Sequence, residues 1–332
     1  MAHITNIKSW KILCWNVRGI NSVNKWDSIR DKIVESGCDI VCLQETKRET
    51  FDLQYIKNFC PPAFDAFEFL PSVGASGGLI TIWKSVYFEG HLAFHNSFSV
   101  SVDFRSLHNN AEWLLTNIYG PCTDEGKLSF VDWLKNIAMP EEVDWLLVGD
   151  FNLMRSPANR NKPGGDINQM LLFNEAISAL GIVELPLLGQ QFTWTNKQLE
   201  PLLERLDWFF TSSSWTLTYP NTTVSTMLME TSDHVPCVVN IATNIPKGKN
   251  FHFENYWMEH EVFMDVVRHG WSIPTQQSDV AKVISAKFKN LRRVLKAWQV
   301  QLSSLKGNIE NVKLVLWLIQ LVEFHRDLTI EE

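Results

Sequence analysis

The chain has 332 residues and a formal net charge of −7, with 45% apolar and 20% charged residues, a size and make-up that fit one large α/β domain with an appendage, or two domains. No apolar run approaches the ~18 residues of a membrane span, and the opening MAHITNIKSWK lacks the basic-then-apolar order of a secretory signal, so the sequence predicts an intracellular protein, nuclear or cytoplasmic. The acidic balance withholds the evidence a basic nucleic-acid-binding domain would give, although an acidic metal site itself lowers net charge.

Residues 11–17 (KILCWNV) predict a strand ending at Asn16, followed by a turn at Gly19 and Asn21-Ser22. Residues 24–36 have helical spacing at Trp26, Ile29, Ile33 and Val34, with Gly37 as a stop. A second buried strand, 39–45 (DIVCLQE), ends at Gln44-Glu45. After a helix or loop over 46–62, strands at 64–70 and 78–83 bracket a glycine-rich turn, 92–104 alternates around a hairpin, and 112–119 is another strand. Residues 127–137 predict a helix. The apolar run 145–148 then ends abruptly in Gly149-Asp150-Phe151-Asn152. A carboxylate and an amide at the end of a core strand stand where α/β proteins commonly place their chemistry. Taken alone, they fit an Asx-turn equally well.

Beyond a polar loop at 154–166 come a helix at 169–180 stopped by Gly181, short strands at 192–195, 205–211 and 224–229, and Thr231-Ser232-Asp233-His234 leading into a strand at 235–241. The interleaving predicts a packed sheet-on-sheet core flanked by helices. The six cysteines form no CxxC pair, and Cys14, Cys42 and Cys237 fall in apolar runs, as reduced core residues do.

Near residues 246–249 (PKGK) strand signals stop, and net charge changes from about −9 before to about +2 after. This predicts a boundary between a domain at 1–244 and a helical linker at 245–332. From Ile284, apolar residues fall at 284, 288, 291, 295, 298, 302, 305, 309, 312, 316 and 319. That 4-3 alternation predicts a heptad seam needing a partner helix or a second copy.

Polar residues recur at the ends of the predicted strands: Asn16, Glu45, Tyr119, Asp150, Asn152, Asp233 and His234, with Asp207 inside a strand. Each alone has a bland reading as a turn or surface residue. Together they form a set with one chemistry. Glu45, Asp233 and the amide oxygen of Asn16 suit a hard cation such as Mg²⁺. His234 suits charge on a phosphoryl oxygen, with Asp207 holding the imidazole. Asp150 suits proton abstraction from water, and Asn152 and Tyr119 suit hydrogen bonding to the phosphorus centre.

WNVRG at 15–19, LQETK at 43–47, IYGP at 118–121, GDFN at 149–152, RLDWFF at 205–210 and SDHVP at 232–236 stand in an order that resembles the endonuclease/exonuclease/phosphatase superfamily over roughly residues 10–243. The resemblance implies a four-layer α/β sandwich of two packed mixed sheets flanked by helices, here with a C-terminal helical extension. It also implies divalent-metal-dependent phosphoester hydrolysis with Mg²⁺, or Mn²⁺ as a substitute. Glu45 would be the principal metal ligand, with Asn16 and Asp233 near the metal. Asp150 would align or deprotonate the water, Asp207 and His234 would form the orienting pair, and Tyr119 and Asn152 would bind the scissile phosphate. One departure stands out: apurinic-type relatives usually carry an acidic residue two positions after the motif asparagine, and this chain has Arg18. Asn159, Asn161 and Asn168 compete for the place of DNA-contacting amides.

SWKILCWNVRGINS, FTWTN at 192–196 and the tail 251–267 are similar to plant LINE-like (non-LTR) retrotransposon proteins. There an endonuclease is followed by a helical linker and a reverse transcriptase, and no polymerase-like Asp-Asp motif occurs here. This resemblance implies a DNA substrate and nicking of a target site, with the reverse transcriptase missing from this chain. The competing expectations are a phosphatase or lipid phosphodiesterase of the same superfamily, and an inactive remnant that binds nucleic acid or self-associates.

Overall fold

A computed structural model describes residues 7–74, 76–138, 143–246, 253, 255–276, 279–302, 304–323, 326 and 329. The described chain falls into two compact units, one formed by residues 1–246 with 319–332 and one by 247–318. The predicted boundary between 244 and 245 falls inside the last strand of the first unit, Cys237–Pro246, and residues 247–249 of the PKGK segment lie outside the described residues.

In the first unit the elements run β1 (Ile7–Asn16), α1 (Val23–Ser36), β2 (Ile40–Gln44), a one-turn α2 (Leu53–Ile56), β3 (Ala66–Val73), β4 (Ser76–Trp83), β5 (Phe88–Asn96), β6 (Ser99–Ser106), β7 (Glu112–Tyr119), α3 (Asp124–Asn136) and β8 (Trp145–Asp150). They continue as α4 (Ile167–Leu180), β9 (Val183–Glu184), β10 (Leu187–Leu188), β11 (Trp194–Thr195), β12 (Leu203–Glu204), β13 (Asp207–Thr211), α5 (Ser213–Thr218), β14 (Thr223–Thr226) and β15 (Cys237–Pro246). One sheet has the order β10-β14-β15-β1-β2-β4-β3, the other β5-β6-β7-β8-β13-β9, and β11 pairs with β12. Both large sheets are mixed: β1 runs parallel to β2 and antiparallel to β15, and β7 runs parallel to β8 while β8 and β13 are antiparallel.

The alternation within each strand builds the layers. Along β1, Trp10, Ile12 and Cys14 enter the core between the sheets, where Phe104, Trp113, Leu146 and Val148 meet them. Leu13 and Trp15 point the other way, onto Ile29 and Ile33 of α1. The second sheet sends Leu114, Ile118, Leu147 and Phe210 onto Phe130 and Leu134 of α3 and Phe173 and Ile177 of α4. The result is the expected helix–sheet–sheet–helix sandwich. Six tryptophans are among its largest fully buried side chains, and stacked or edge-on pairs such as Trp113 with Phe104 add about 0.5–1.5 kcal/mol beyond burial. All six cysteines are free, and five are buried.

Helix ends follow local chemistry. Gly37 and Gly181 close α1 and α4 in the left-handed conformation, and Asp166 caps α4 by accepting from the backbone of Asn168 and Gln169. α5 and the two-residue strands β9 and β10 have no periodic signal long enough to read in the sequence.

In the second unit, α6 (Phe263–Ser272) and α7 (Val280–Gln299) pack around Trp257, Phe263, Leu295 and Trp298. The predicted unbroken seam is interrupted by a 3-10 turn at Val300–Leu302, after which α8 (Ser304–Glu323) begins. Neither Gly nor Pro marks this break. Leu302 packs against the Trp257 cluster, and that inward contact accompanies the tightening. Leu295 and Trp298 thus find their partner in α6, whereas Ile309, Val312 and Leu316 of α8 remain exposed. No described helix is long and apolar enough to cross a membrane.

Candidate active site

Strand direction gathers the predicted polar residues at one end of the sandwich. The parallel pair β1 and β2 ends at Asn16 opposite Gln44, and the parallel pair β7 and β8 ends at Tyr119 opposite Asp150. The antiparallel β13 begins there, with Asp207 facing Asp150, and β15 begins three residues after His234. Gly149 is required near the end of β8, where it pairs with Ile118 of β7: its φ is 142°, and a Cβ would stand 2.0 Å from the Ile118 carbonyl oxygen. A cleft of about 510 Å³ opens at this end, and Asn16, Glu45, Tyr119, Asp150, Asn152, Asp233 and His234 all line it. Asp207 stands behind His234.

The inner side of the cleft is buried and closely hydrogen-bonded. His234 Nδ1 donates to Asp207 Oδ2 at 2.9 Å, and Nε2 lies 3.6 Å from Asp150 Oδ2. Asp150 Oδ2 also accepts from Asn16 Nδ2 at 2.8 Å and Asn152 Nδ2 at 3.1 Å, while Oδ1 accepts from the Asn152 backbone at 2.9 Å. Burial pushes the Asp150 carboxyl up to about 7, against the lowering influence of His234 and the amide donors. Burial pulls the His234 imidazole down, but Asp207 and Asp150 together outweigh it and raise it to about 9. Burial, then Glu45, pushes the Tyr119 phenol well above its usual range, so Tyr119 remains a neutral donor.

The outer side is more open. The Glu45 carboxylate pairs with Lys47 Nζ at 2.9 Å. Asp233 is held by Arg18 Nη1 and by Trp194 Nε1, the latter at 3.0 Å, both on Oδ2. Arg18, Glu45, Lys47 and Asn152 are four of the six non-glycine residues with positive φ among the described residues. Such strain persists where surrounding bonds enforce it and gathers at functional sites. Here Gly19 N donates to Glu45 O at 2.7 Å, Val17 N to Gln44 O, and Ile20 N to Thr46 O, so the loops after β1 and β2 brace each other.

Several positioning residues were not evident in the sequence. Thr193 Oγ1 accepts from the backbones of Leu206 and Asp207, and its carbonyl accepts from Val235, tying the Asp207 and His234 segments together. α1 clamps the loop before His234: Lys25 Nζ donates to Thr231 O, Ser28 bonds Thr231, and the fully buried Lys32 pairs with Glu230 at 2.9 Å. An apolar helix spacing gives no sign of a lysine used this way. Trp194 lines the cleft rather than the core. Among the three candidate amides, Asn159 accepts from the Arg155 and Ser156 backbones, and Asn161 bonds the backbone at Pro201 and Leu203. Those two are spent on loop structure. The amide from this region that lines the cleft is Gln169, one turn beyond the Asp166 cap.

Two groups have donor chemistry for a metal ion. Ligand atoms of Asp150, Asp207 and His234 lie within 4.8 Å of one another. In that cluster, however, Nδ1 and Oδ2 are already joined by a hydrogen bond and both Asp150 oxygens accept from amides. Glu45, one-sixth exposed at its side chain, offers an anionic oxygen in an open cleft with the Asn16 amide nearby in the same lining. That set fits a hard, oxygen-seeking cation better.

The model of the endonuclease/exonuclease/phosphatase family matches residues 13–234. No curated protein matches the sequence. Among solved structures the chain is similar to the AP endonuclease LMAP from Leishmania major, with TM-score 0.54 and 16% identity over 71% of this chain and 88% of that one. The endonuclease domain of TRAS1, a telomere-specific non-LTR retrotransposon, gives 0.53 and 15% over 72% and 100%. The catalytic domain of APE2 from Xenopus laevis gives 0.53 and 20% over 71% and 94%. At these identities the likeness establishes the fold.

Proposed function

The chain belongs to the endonuclease/exonuclease/phosphatase family, and from that premise we propose that it is a divalent-metal-dependent DNA endonuclease that nicks a target strand, as a retroelement-type nuclease does. One observation carries the reading: seven of the eight residues singled out from scattered strand ends line a single cleft, and the eighth, Asp207, bonds His234 behind it. The similarity to an AP endonuclease and to the endonuclease domain of a non-LTR retrotransposon supports DNA as the substrate class.

In this reading Glu45 is the principal ligand of a Mg²⁺ or Mn²⁺ ion, with Asn16 and Asp233 beside it. The ion, when bound, neutralises phosphate oxygens and lowers the pKa of a nearby water. Asp150 orients the attacking water and takes its proton; an acceptor raised to about 7 suits that task near neutral pH. His234, held charged by Asp207 and Asp150, stabilises the negative charge that builds on the phosphoryl oxygens. Tyr119 donates a hydrogen bond from its phenol to a phosphate oxygen. Asn152, whose Nδ2 is anchored on Gly120 O at 2.8 Å, keeps Asp150 aligned and lines the phosphate position. We further take the helical extension predicted over 245–332, which starts after β15 and whose residues 319–332 group with the first unit, as a linker whose exposed α8 residues meet a partner helix or a second copy. Supercoiled plasmid incubated with Mg²⁺ tests the activity; release of inorganic phosphate from a monoester with no nicking would favour a phosphatase instead.

A further inference from the structure

The outer side of the cleft contains a cation of its own. Arg18 lines the cleft and its guanidinium closes on Asp233 Oδ2. The same oxygen accepts from Trp194 Nε1 at 3.0 Å, and Oδ1 lies 3.4 Å from Ser232 Oγ. Oδ2 therefore holds two donors, in a side chain only 7% exposed, while the Ser232 hydroxyl proton goes to Asn16 O at 2.7 Å. Glu45 differs. Its described partner is Lys47 on Oε1, a single flexible ammonium that yields readily, whereas a guanidinium is planar, permanently charged and weakly hydrated. The backbone also commits Arg18 to this place. Its φ is 51°, its N–H donates to Asn16 Oδ1 at 3.0 Å, and the flanking Gly19 is bonded to Glu45 O.

We propose that Arg18 stands in for a second metal ion. By occupying Asp233 it limits the cleft to one divalent cation, at Glu45, and it offers the substrate phosphate the second positive charge. This rests on the metal-dependent reading above. A cation approaching Oδ2 of Asp233 would have to displace two donors, and one approaching Oδ1 would share the carboxylate with a fixed positive charge, which Coulomb repulsion opposes. Arg18 retains donors for the phosphate: the guanidinium carries five N–H groups, its described contacts use Nη1 alone, and its side chain is 57% exposed.

The test counts metal ions on the full chain without DNA, by Mn²⁺ electron paramagnetic resonance titration, beside Arg18→Ala, Arg18→Asp and Glu45→Gln. The expected result is one ion on the unaltered protein. A second ion is expected on Arg18→Ala, where Asp233 is released, and a tighter second ion on Arg18→Asp. The dependence of nicking rate on Mg²⁺ concentration is expected to steepen from first order towards second order in Arg18→Asp. Two ions on the unaltered protein, or one ion on both Arg18 variants, would overturn the inference while leaving metal dependence standing. No ion on the unaltered protein would overturn the metal-dependent reading itself and this inference with it, and an ion that persists undiminished in Glu45→Gln would overturn Glu45 as its ligand and this inference with it. Arg18 is exposed and on a loop, so the circular dichroism of both variants is expected to match the unaltered protein.

Discussion

On the inner side of the cleft, Asp150, Asp207 and His234 are buried and bonded to one another and to fixed amides. On the outer side, Glu45 and Arg18 reach solvent, and cationic side chains pair with the carboxylates. The first arrangement sets protonation: with water excluded, two carboxylates around one imidazole hold its proton and raise the carboxyl of Asp150. The second sets occupancy: which carboxylate is already paired decides where a cation has room. The inner residues are therefore expected to govern the chemical step, and the outer ones the metal and the phosphate.

The largest effects should come from the inner side. Asp150→Ala and His234→Ala are expected to lower the nicking rate on the order of 10³–10⁴-fold while leaving Mn²⁺ bound at Glu45, which equilibrium dialysis checks. Asp207→Asn is expected at the lower end of what a positioned proton-transfer group contributes, about 10²-fold, because His234 remains but loses its anionic partner.

A nuclear magnetic resonance titration of the metal-free chain separates the sides by pH. His234 should hold its proton until about pH 9, and the midpoint should fall in Asp207→Asn. Because the folded value lies above the ordinary 6.5, this proton's contribution to stability is fully present below about 6.5 and is lost as pH rises through about 9. The stability advantage over His234→Gln should shrink across that window. A midpoint at or below 6.5 would remove the distinction between the two sides.

Smaller effects test the supports. Lys32→Met keeps the aliphatic stem but leaves Glu230, whose side chain is 40% exposed, free to rehydrate. The cost should be about 1 kcal/mol, read as a melting point lowered by roughly 2–4 °C. Smallest of all, Ile309→Asp with Leu316→Asp on α8 should leave nicking within about twofold, while any self-association measured by sedimentation weakens.

The fold was legible because strands such as 145–150 and 112–119 are short apolar runs with sharp ends, and strand ends are where the polar residues fell. The grouping of Asn16, Glu45, Tyr119, Asp150, Asn152, Asp233 and His234 followed from motif order, since parallel strands deliver their ends to one side. What escaped was pairing across long sequence distances. Arg18 was visible only as a departure, because nothing local shows that a residue 215 positions away receives its guanidinium. Lys32 is hidden for the same reason, and Thr193 acts through a hydroxyl that reads as an ordinary strand residue. The seam at 284–319 failed differently. Periodicity reports an apolar face but not its partner, so a turn at Val300–Leu302 that commits Leu295, Trp298 and Leu302 to the Trp257 cluster leaves no mark in the pattern.

The central claim is metal-dependent cleavage of DNA by this cleft. The most direct test is supercoiled plasmid incubated with the purified chain in Mg²⁺ and in EDTA, beside Asp150→Ala and His234→Ala. The account predicts nicked circles in Mg²⁺, none in EDTA, and loss of nicking in both variants. Intact plasmid with a folded protein that binds Mg²⁺, or nicking that survives in both variants, would contradict it.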